Sequence, residues 1–195
     1  MRESIDGASF AQAMIHAAAS LNLQKQQINE LNVFPVPDGD TGTNMSLTLG
    51  TAAAELRKKQ PRTVGEAAAT NASALLRGAR GNSGVILSLL FRGFAKAVKD
   101  KDTIDGRDLA IALDFGVAAA YKAVMKPAEG TILTVSRLAA ARAAGIPVFE
   151  RAQAWGAIMK GYKNALCIAG THGKTTTTSM CTHIIMAARM DPTVM

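Results

Sequence analysis

Aromatic residues are scarce in this 195-residue chain: one Trp, two Tyr and six Phe make up 5% of it. That excludes a sandwich of aromatic-rich strands and removes the stacking platforms on which single-stranded nucleic acids are usually held. The two cysteines, Cys167 and Cys181, are too few for a disulfide framework and lack metal-ligand spacing. They read as two buried or half-buried thiols of a reducing compartment. The amino terminus carries charge where a signal peptide needs an apolar run. No stretch approaches the roughly 18 uncharged apolar residues of a membrane span. A cytoplasmic chain with no membrane span is therefore expected.

What the chain has in quantity is alanine, 36 residues of it, within a composition that is 48% hydrophobic and 19% charged. Alanine favours helix and lets helices approach closely. The mean hydropathy of +0.11 excludes a disordered chain. Lys and Arg outnumber Asp and Glu by 22 to 15, giving +7 and admitting phosphate-bearing ligands. The basic residues are dispersed, so no nucleic-acid partner is expected.

Apolar residues recur at helical spacing from 9 to 31, with Phe10, Met14, Ala17, Ala18 and Leu21 on one face and a kink expected near 20–22. Residues 32–43 contain two prolines and two glycines and read as an ordered loop. Helical patterns resume over 44–59, 64–79, 84–99, 107–124 and 131–144, without a convincing strand. This predicts a mainly α, antiparallel array over 1–142. Past Gly145 the pattern changes. Strands are expected at 146–149 and 164–169, helices at 151–159 and 176–189, and a glycine loop at 170–175. That is the order of a short βα phosphate-loop (P-loop) unit, so a second domain is placed at 143–195.

Three polar glycine turns precede helices. In the first, Asp38 and Asp40 stand two apart, so both carboxylates can converge on a hard cation such as Mg2+. Gly39 and Gly42 admit an anion close to the backbone, and Thr41, Thr43 and Asn44 offer donors. For a lone Asp-Gly-Asp the commoner meaning is a turn whose carboxylates cap the next helix. The second, residues 77–84, could cradle a phosphate with its amides, Ser83 and Arg80, or serve as a plain helix connector. The third spans 126–131. Gathered at one end of the array, the three make a coherent nucleotide site.

The run Asn-Val-Phe-Pro-Val-Pro-Asp-Gly-Asp-Thr-Gly-Thr-Asn-Met over 32–45 closely resembles the signature of the dihydroxyacetone-kinase L-subunit-like (DhaL) domain, most of all its fatty-acid-kinase branch. Leu-Arg-Gly-Ala-Arg-Gly-Asn-Ser-Gly-Val-Ile-Leu-Ser over 76–88 and Lys-Pro-Ala-Glu-Gly-Thr-Ile-Leu over 126–133 resemble its second and third motifs, in order. The resemblance implies an antiparallel helical barrel of eight helices holding Mg-ADP or Mg-ATP at one end. It makes Asp38 and Asp40 the magnesium ligands and catalytic carboxylates. Gly42, Thr43, Asn44, Ser83 and Gly84 would hold phosphates, with Met45 and Thr131 close to the nucleotide. The implied reaction is phosphoryl transfer from ATP to a dihydroxyacetone-like hydroxyl or to a fatty acid carboxylate, the latter presented by a separate acyl-binding protein. Two departures stand out. The L-subunit's third metal carboxylate is replaced by Asn32 or Val33. The last barrel helices and their glycine-rich loop have no counterpart, which makes the barrel incomplete.

Residues 169–180 around Gly173, Lys174 and Thr175 resemble the ATP loop of Mur ligases, specifically UDP-N-acetylmuramate–L-alanine ligase, and 145–152 resemble the segment leading into it. Lys174 would reach outer phosphates and Thr175 would suit magnesium; His172 is either near phosphate or a solvated loop residue. His16 and His183 read as surface or core filling, and Trp155 as packing. Three readings follow: a DhaL-type kinase domain, a fragment of a peptidoglycan-precursor ligase, and a non-catalytic fusion product.

Overall fold

The computed structural model describes residues 4–34, 36–149, 151–192 and 194, with the side chains of Arg151, Ala152 and Trp155 also outside the description. Pro35 of the first turn and the expected packing role of Trp155 therefore lie outside the described residues. The chain divides into two compact units, one through Val148 and one from Phe149 onward.

Among its described residues the first unit contains six helices, α1 (Gly7–Glu30), α2 (Thr41–Lys59), α3 (Val64–Gly78), α4 (Gly81–Ala97), α5 (Gly106–Ala123) and α6 (Ile132–Ala143). Each starts where a side chain can accept from an otherwise unpaired first-turn amide, or where a glycine turn delivers the chain. Asp6 accepts from Ser9 N at 2.7 Å, Asp105 from Asp108 N at 2.7 Å and Thr131 from Leu133 N at 3.3 Å. A capping box opens α3: Thr63 Oγ1 accepts from Glu66 N at 3.1 Å while the Glu66 carboxylate accepts from Thr63 N at 3.5 Å. Helix α1 runs unbroken from Gly7 to Glu30 through the region where a kink was expected. Two-residue strands β1 (Ile5–Asp6) and β2 (Thr103–Ile104), not anticipated from periodicity, pair antiparallel with Ile5 opposite Ile104.

The helices pack antiparallel, each on the next, and their ends sort into two groups. At one end Gly7 N donates to Arg62 O, Val64 N to Asp102 O and Gly65 N to Lys101 O. The turns at 31–40, 79–80 and 124–131 consequently lie at the other end, because α2, α4 and α6 all begin there. The core joins α1 to α5. Phe10 stacks on Phe94 with ring centroids 5.4 Å apart, and Leu56, Leu75, Val64 and Ile104 are fully buried around them. Alanines at 52, 67, 74 and 112 have no exposed surface, so small side chains set the helix spacing. On α1, Ala17 is exposed, and Ala11 and Ile15 join Phe10, Met14 and Ala18 inside.

One core residue conflicts with its surroundings. Asn71 on α3 is fully buried, and neither atom of its carboxamide has a hydrogen-bond partner among the described residues. An orphaned buried amide costs about 1–3 kcal/mol. Asn71→Leu is therefore expected to raise the midpoint of urea unfolding with an unchanged m-value. A lowered midpoint would mean that the carboxamide is satisfied or that leucine overfills the site.

The second unit contains α7 (Arg151–Met159) and α8 (Lys174–Ala187). Its expected strand is absent: residues 164–169 are irregular, and all but half-buried Ile168 are exposed. The expected strand at 146–149 is likewise not formed. A strand needs a neighbour to accept its amides, and an apolar run with no paired partner stays irregular. The βα phosphate-loop unit is thus reduced to a loop and a helix. Cys167 is exposed, against the expectation of buried or half-buried thiols, and Cys181 is half-buried as expected. His16, His172 and His183 are all exposed. Among the described residues no helix is long and apolar enough to cross a membrane.

Candidate functional site

Helix α2 begins at Thr41 and α4 at Gly81, three residues earlier in each case than the sequence periodicity indicates. Gly42, Thr43 and Ser83, expected in loops, are therefore first-turn residues, where backbone amides point outward along the helix axis.

The first turn is braced by α1. Asn29 Nδ2 donates to Thr43 Oγ1 at 2.9 Å, and Asn29 Oδ1 accepts from Thr43 N at 3.1 Å. One helical stripe back, Asn22 Oδ1 accepts from Ser46 Oγ at 3.1 Å. Such a brace requires close approach, and Gly42 supplies it: a Cβ there would stand 2.1 Å from Lys25 O. The Asn32 amide donates to the Asp38 carboxylate, so the residue standing where a third carboxylate was sought orients the first one. Asp40 occupies the N-cap position of α2, yet its side chain makes no capping bond. Its carboxylate is exposed, as is that of Asp38. Neither carboxylate is spent on capping α2, which was the alternative reading of this turn.

The second turn is joined to the first through buried Thr48. Its Oγ1 donates to Asn44 O at 2.7 Å and accepts from Arg80 N at 3.0 Å. Gly81, at φ +57, lies against the Asn44 carboxamide, with its missing Cβ 2.4 Å from Nδ2. Gly81 is exposed, whereas Gly84 is buried, with its missing Cβ 2.4 Å from Thr48 Oγ1. Asn44, Arg80, Gly81 and Gly84 are thereby brought together at the starts of two parallel helices, and Met45 is half-buried in the first turn of α2. Thr48, Asn29 and Asn22 were missed as site residues. The available signals were the seven-residue spacing of the two asparagines and the four residues separating Asn44 from Thr48.

The third turn shares this end of the bundle. Half-buried Thr131 caps α6 and donates to Ala128 O at 2.8 Å. Glu129 accepts from Tyr121 Oη at 3.0 Å, Thr134 Oγ1 at 2.6 Å and Arg137 Nη2 at 2.8 Å. The Thr134 hydroxyl first, then Arg137 and Tyr121, hold the Glu129 carboxyl below the usual carboxylate range. A carboxylate with a depressed folded pKa stabilises above its ordinary value and loses that contribution as pH falls through the depressed one. The third turn is thus expected to loosen only in that acid window. A carboxyl NMR titration checks this: Glu129 should titrate below free glutamate, and Arg137→Ala should move the midpoint up.

The donor set fits a magnesium–nucleotide pair better than a bare metal. Among the described residues no group of three or more His, Cys, Asp or Glu gathers at one point. Two carboxylates satisfy Mg2+ only where phosphate oxygens and waters complete the octahedron. In the second unit, Gly173 at φ +73 leads into α8, but the Lys174 ammonium donates to its own loop, to Gly170 O at 2.7 Å and Thr171 O at 3.3 Å. Gly173, Lys174 and Thr175 are all exposed.

Comparison with known proteins bears on the same residues. The DAK2 domain family model matches residues 35–183, a span that includes Asp38 and Asp40 of the first turn, the second and third turns, and the loop at 170–175. Protein YloV of Bacillus subtilis is 49% identical over 140 residues, which is 72% of this chain and 25% of that protein. Uncharacterized proteins of Staphylococcus saprophyticus and Staphylococcus haemolyticus match with the same identity and coverage, 49% over 140 residues. The chain spans about a quarter of the length of these curated relatives. A family match over most of the chain, laid on a helical unit whose glycine turns meet at one end, shows that the chain belongs to the DAK2 domain family.

Proposed function

We propose that this chain is the nucleotide-binding domain of a Mg2+- and ATP-dependent phosphotransferase, with ATP or ADP held where the starts of α2, α4 and α6 share one end of the bundle. The observation that carries this reading is the joining of the first two turns through Thr48, with the Asp38 and Asp40 carboxylates left free of capping duty. Gly42 and Ser83 would present first-turn amides to phosphates, Thr43, Asn44 and Ser83 their side-chain donors, and Gly84 the close approach of the backbone, since the Thr43, Asn44 and Gly84 amides are already bonded to Asn29 Oδ1, Asp40 O and Arg80 O. Met45 and Thr131 would contact the remainder of the nucleotide, and Arg80 would add charge. Asp38 and Asp40 would hold the magnesium ion, which supplies charge neutralisation on the transferring phosphoryl group. The chain's own part is positioning and the exclusion of wrong geometries. The acceptor in this reading is a fatty acid carboxylate, brought by an acyl-binding partner protein, or a dihydroxyacetone-like hydroxyl, in the cytoplasm where ATP is abundant.

The loop at 170–175 is the basis of the ligase-fragment reading. Its Lys174 is bound by its own carbonyls and the strand that should precede it is not formed, so no observation favours the ligase-fragment reading. Titration calorimetry of ADP with magnesium tests the proposal on the wild-type chain, on Asp38→Asn/Asp40→Asn and on Lys174→Ala. Loss of binding in the aspartate variant alone supports it. Loss in Lys174→Ala alone overturns it in favour of the carboxyl-terminal loop. Absence of binding by the wild type overturns it in favour of a non-catalytic chain.

A further inference from the structure

We infer that Glu129 is a positioning residue that sets nucleotide affinity by holding the third glycine turn in its bound shape before the nucleotide arrives. The inference rests on the nucleotide reading above. Three donors converge on this one exposed carboxylate. Tyr121 comes from the end of α5, and Thr134 and Arg137 come from α6, so the turn at 124–131 is tied to both flanking helices. Thr134 extends the brace, because its Oγ1 also accepts from Gly130 N at 2.8 Å. Gly130 sits at φ +81, so this amide's direction is fixed in a conformation that the chain would otherwise leave freely.

The arrangement makes little sense as a stability device. Glu129 and Arg137 expose more than half of their side-chain surface, and exposed ion pairs contribute little to folding. It makes sense as preorganisation. The turn has no regular structure between α5 and α6, and each residue ordered at the moment of binding costs affinity through lost conformational entropy. A turn braced in advance has already met that cost at folding. Thr131, which begins the helix directly after the braced segment, inherits the placement.

The test uses the full chain and Mg-ADP as the probe. Glu129→Ala is expected to weaken binding by about tenfold with little change in thermal midpoint. Amide hydrogen exchange across 126–131 should be faster than wild type without nucleotide and return to the wild-type rate when ADP is bound. Glu129→Gln, whose single carboxamide oxygen keeps the acceptor for either Tyr121 or the α6 donors but not for both, should recover part of the affinity. Should Glu129→Ala fail to fold, Arg137→Gln leaves the carboxylate in place and is expected to show the same pattern, weaker. Faster exchange with unchanged affinity overturns the inference, as does unchanged exchange. If the wild-type chain binds no Mg-ADP, the nucleotide reading itself falls, a result distinct from either.

Discussion

Gly42→Ala is expected to lower the stability of the first unit by about 3 kcal/mol, the upper end of the usual range for overpacking. The added methyl would stand 2.1 Å from Lys25 O, 2.9 Å from the Lys25 carbonyl carbon and 3.0 Å from Asn29 Oδ1. The two nearest atoms are backbone, so no rotamer change relieves the clash and α1 must move away from α2. That movement would also stretch the two bonds between Asn29 and Thr43, which hold the first turn of α2. Gly50 is the internal control. It lies on the same helix, is exposed, and a Cβ there would meet nothing within 4 Å. Gly50→Ala is expected to stabilise by about 0.5–1 kcal/mol, the ordinary gain from removing glycine from a helix interior. Urea midpoints of the two variants should therefore move in opposite directions. Equal shifts would sink the packing account of Gly42.

Asp38→Asn/Asp40→Asn should have the opposite profile, with the fold kept and the ligand lost. Both side chains are exposed and Asp40 makes no capping bond, so the thermal midpoint should barely move. Affinity for ADP in magnesium should fall at least about a hundredfold, because even groups that only support a metal's ligands cost 10- to 100-fold. The decisive comparison is magnesium against a chelator. Wild-type affinity should drop when the metal is removed, whereas the double variant should bind equally weakly in both conditions through the helix amides alone. A variant that keeps its magnesium dependence would place the metal elsewhere.

The helical part of the fold was legible because helix formation is local. Apolar spacing, the Thr63–Glu66 capping box and the glycine and proline breaks lie within a few residues of what they control. The candidate site was legible as motifs but not as an assembly. Asp38, Asp40, Asn44, Ser83 and Thr131 could be named from the chain. Thr48 was not, because its spacing from Asn44 says nothing of its bond to Arg80 N more than thirty residues away. The glycines were half understood. Gly42, Gly81 and Gly84 read as points of anion approach, and the structure adds that each is where a side chain would strike a neighbouring helix or side chain.

The strands at 164–169 and 146–149 were misjudged for the complementary reason. An apolar run favours extended backbone, but a strand exists only when another strand accepts its hydrogen bonds, and no local signal reports whether one is present. The same holds for the reverse case: β1 and β2, two residues each, exist because the bundle brings Ile5 beside Ile104. The sequence by itself determined which segments are helical, where they start and stop to within about a turn, and which turns carry carboxylates and glycines. The tertiary structure alone decided that α2, α4 and α6 open at one end, that Asp40 is left uncapping, and that Glu129 is braced from both sides. Local propensity acts over a turn of helix. The meeting of two turns depends on antiparallel packing, and that is set by which apolar faces can bury one another.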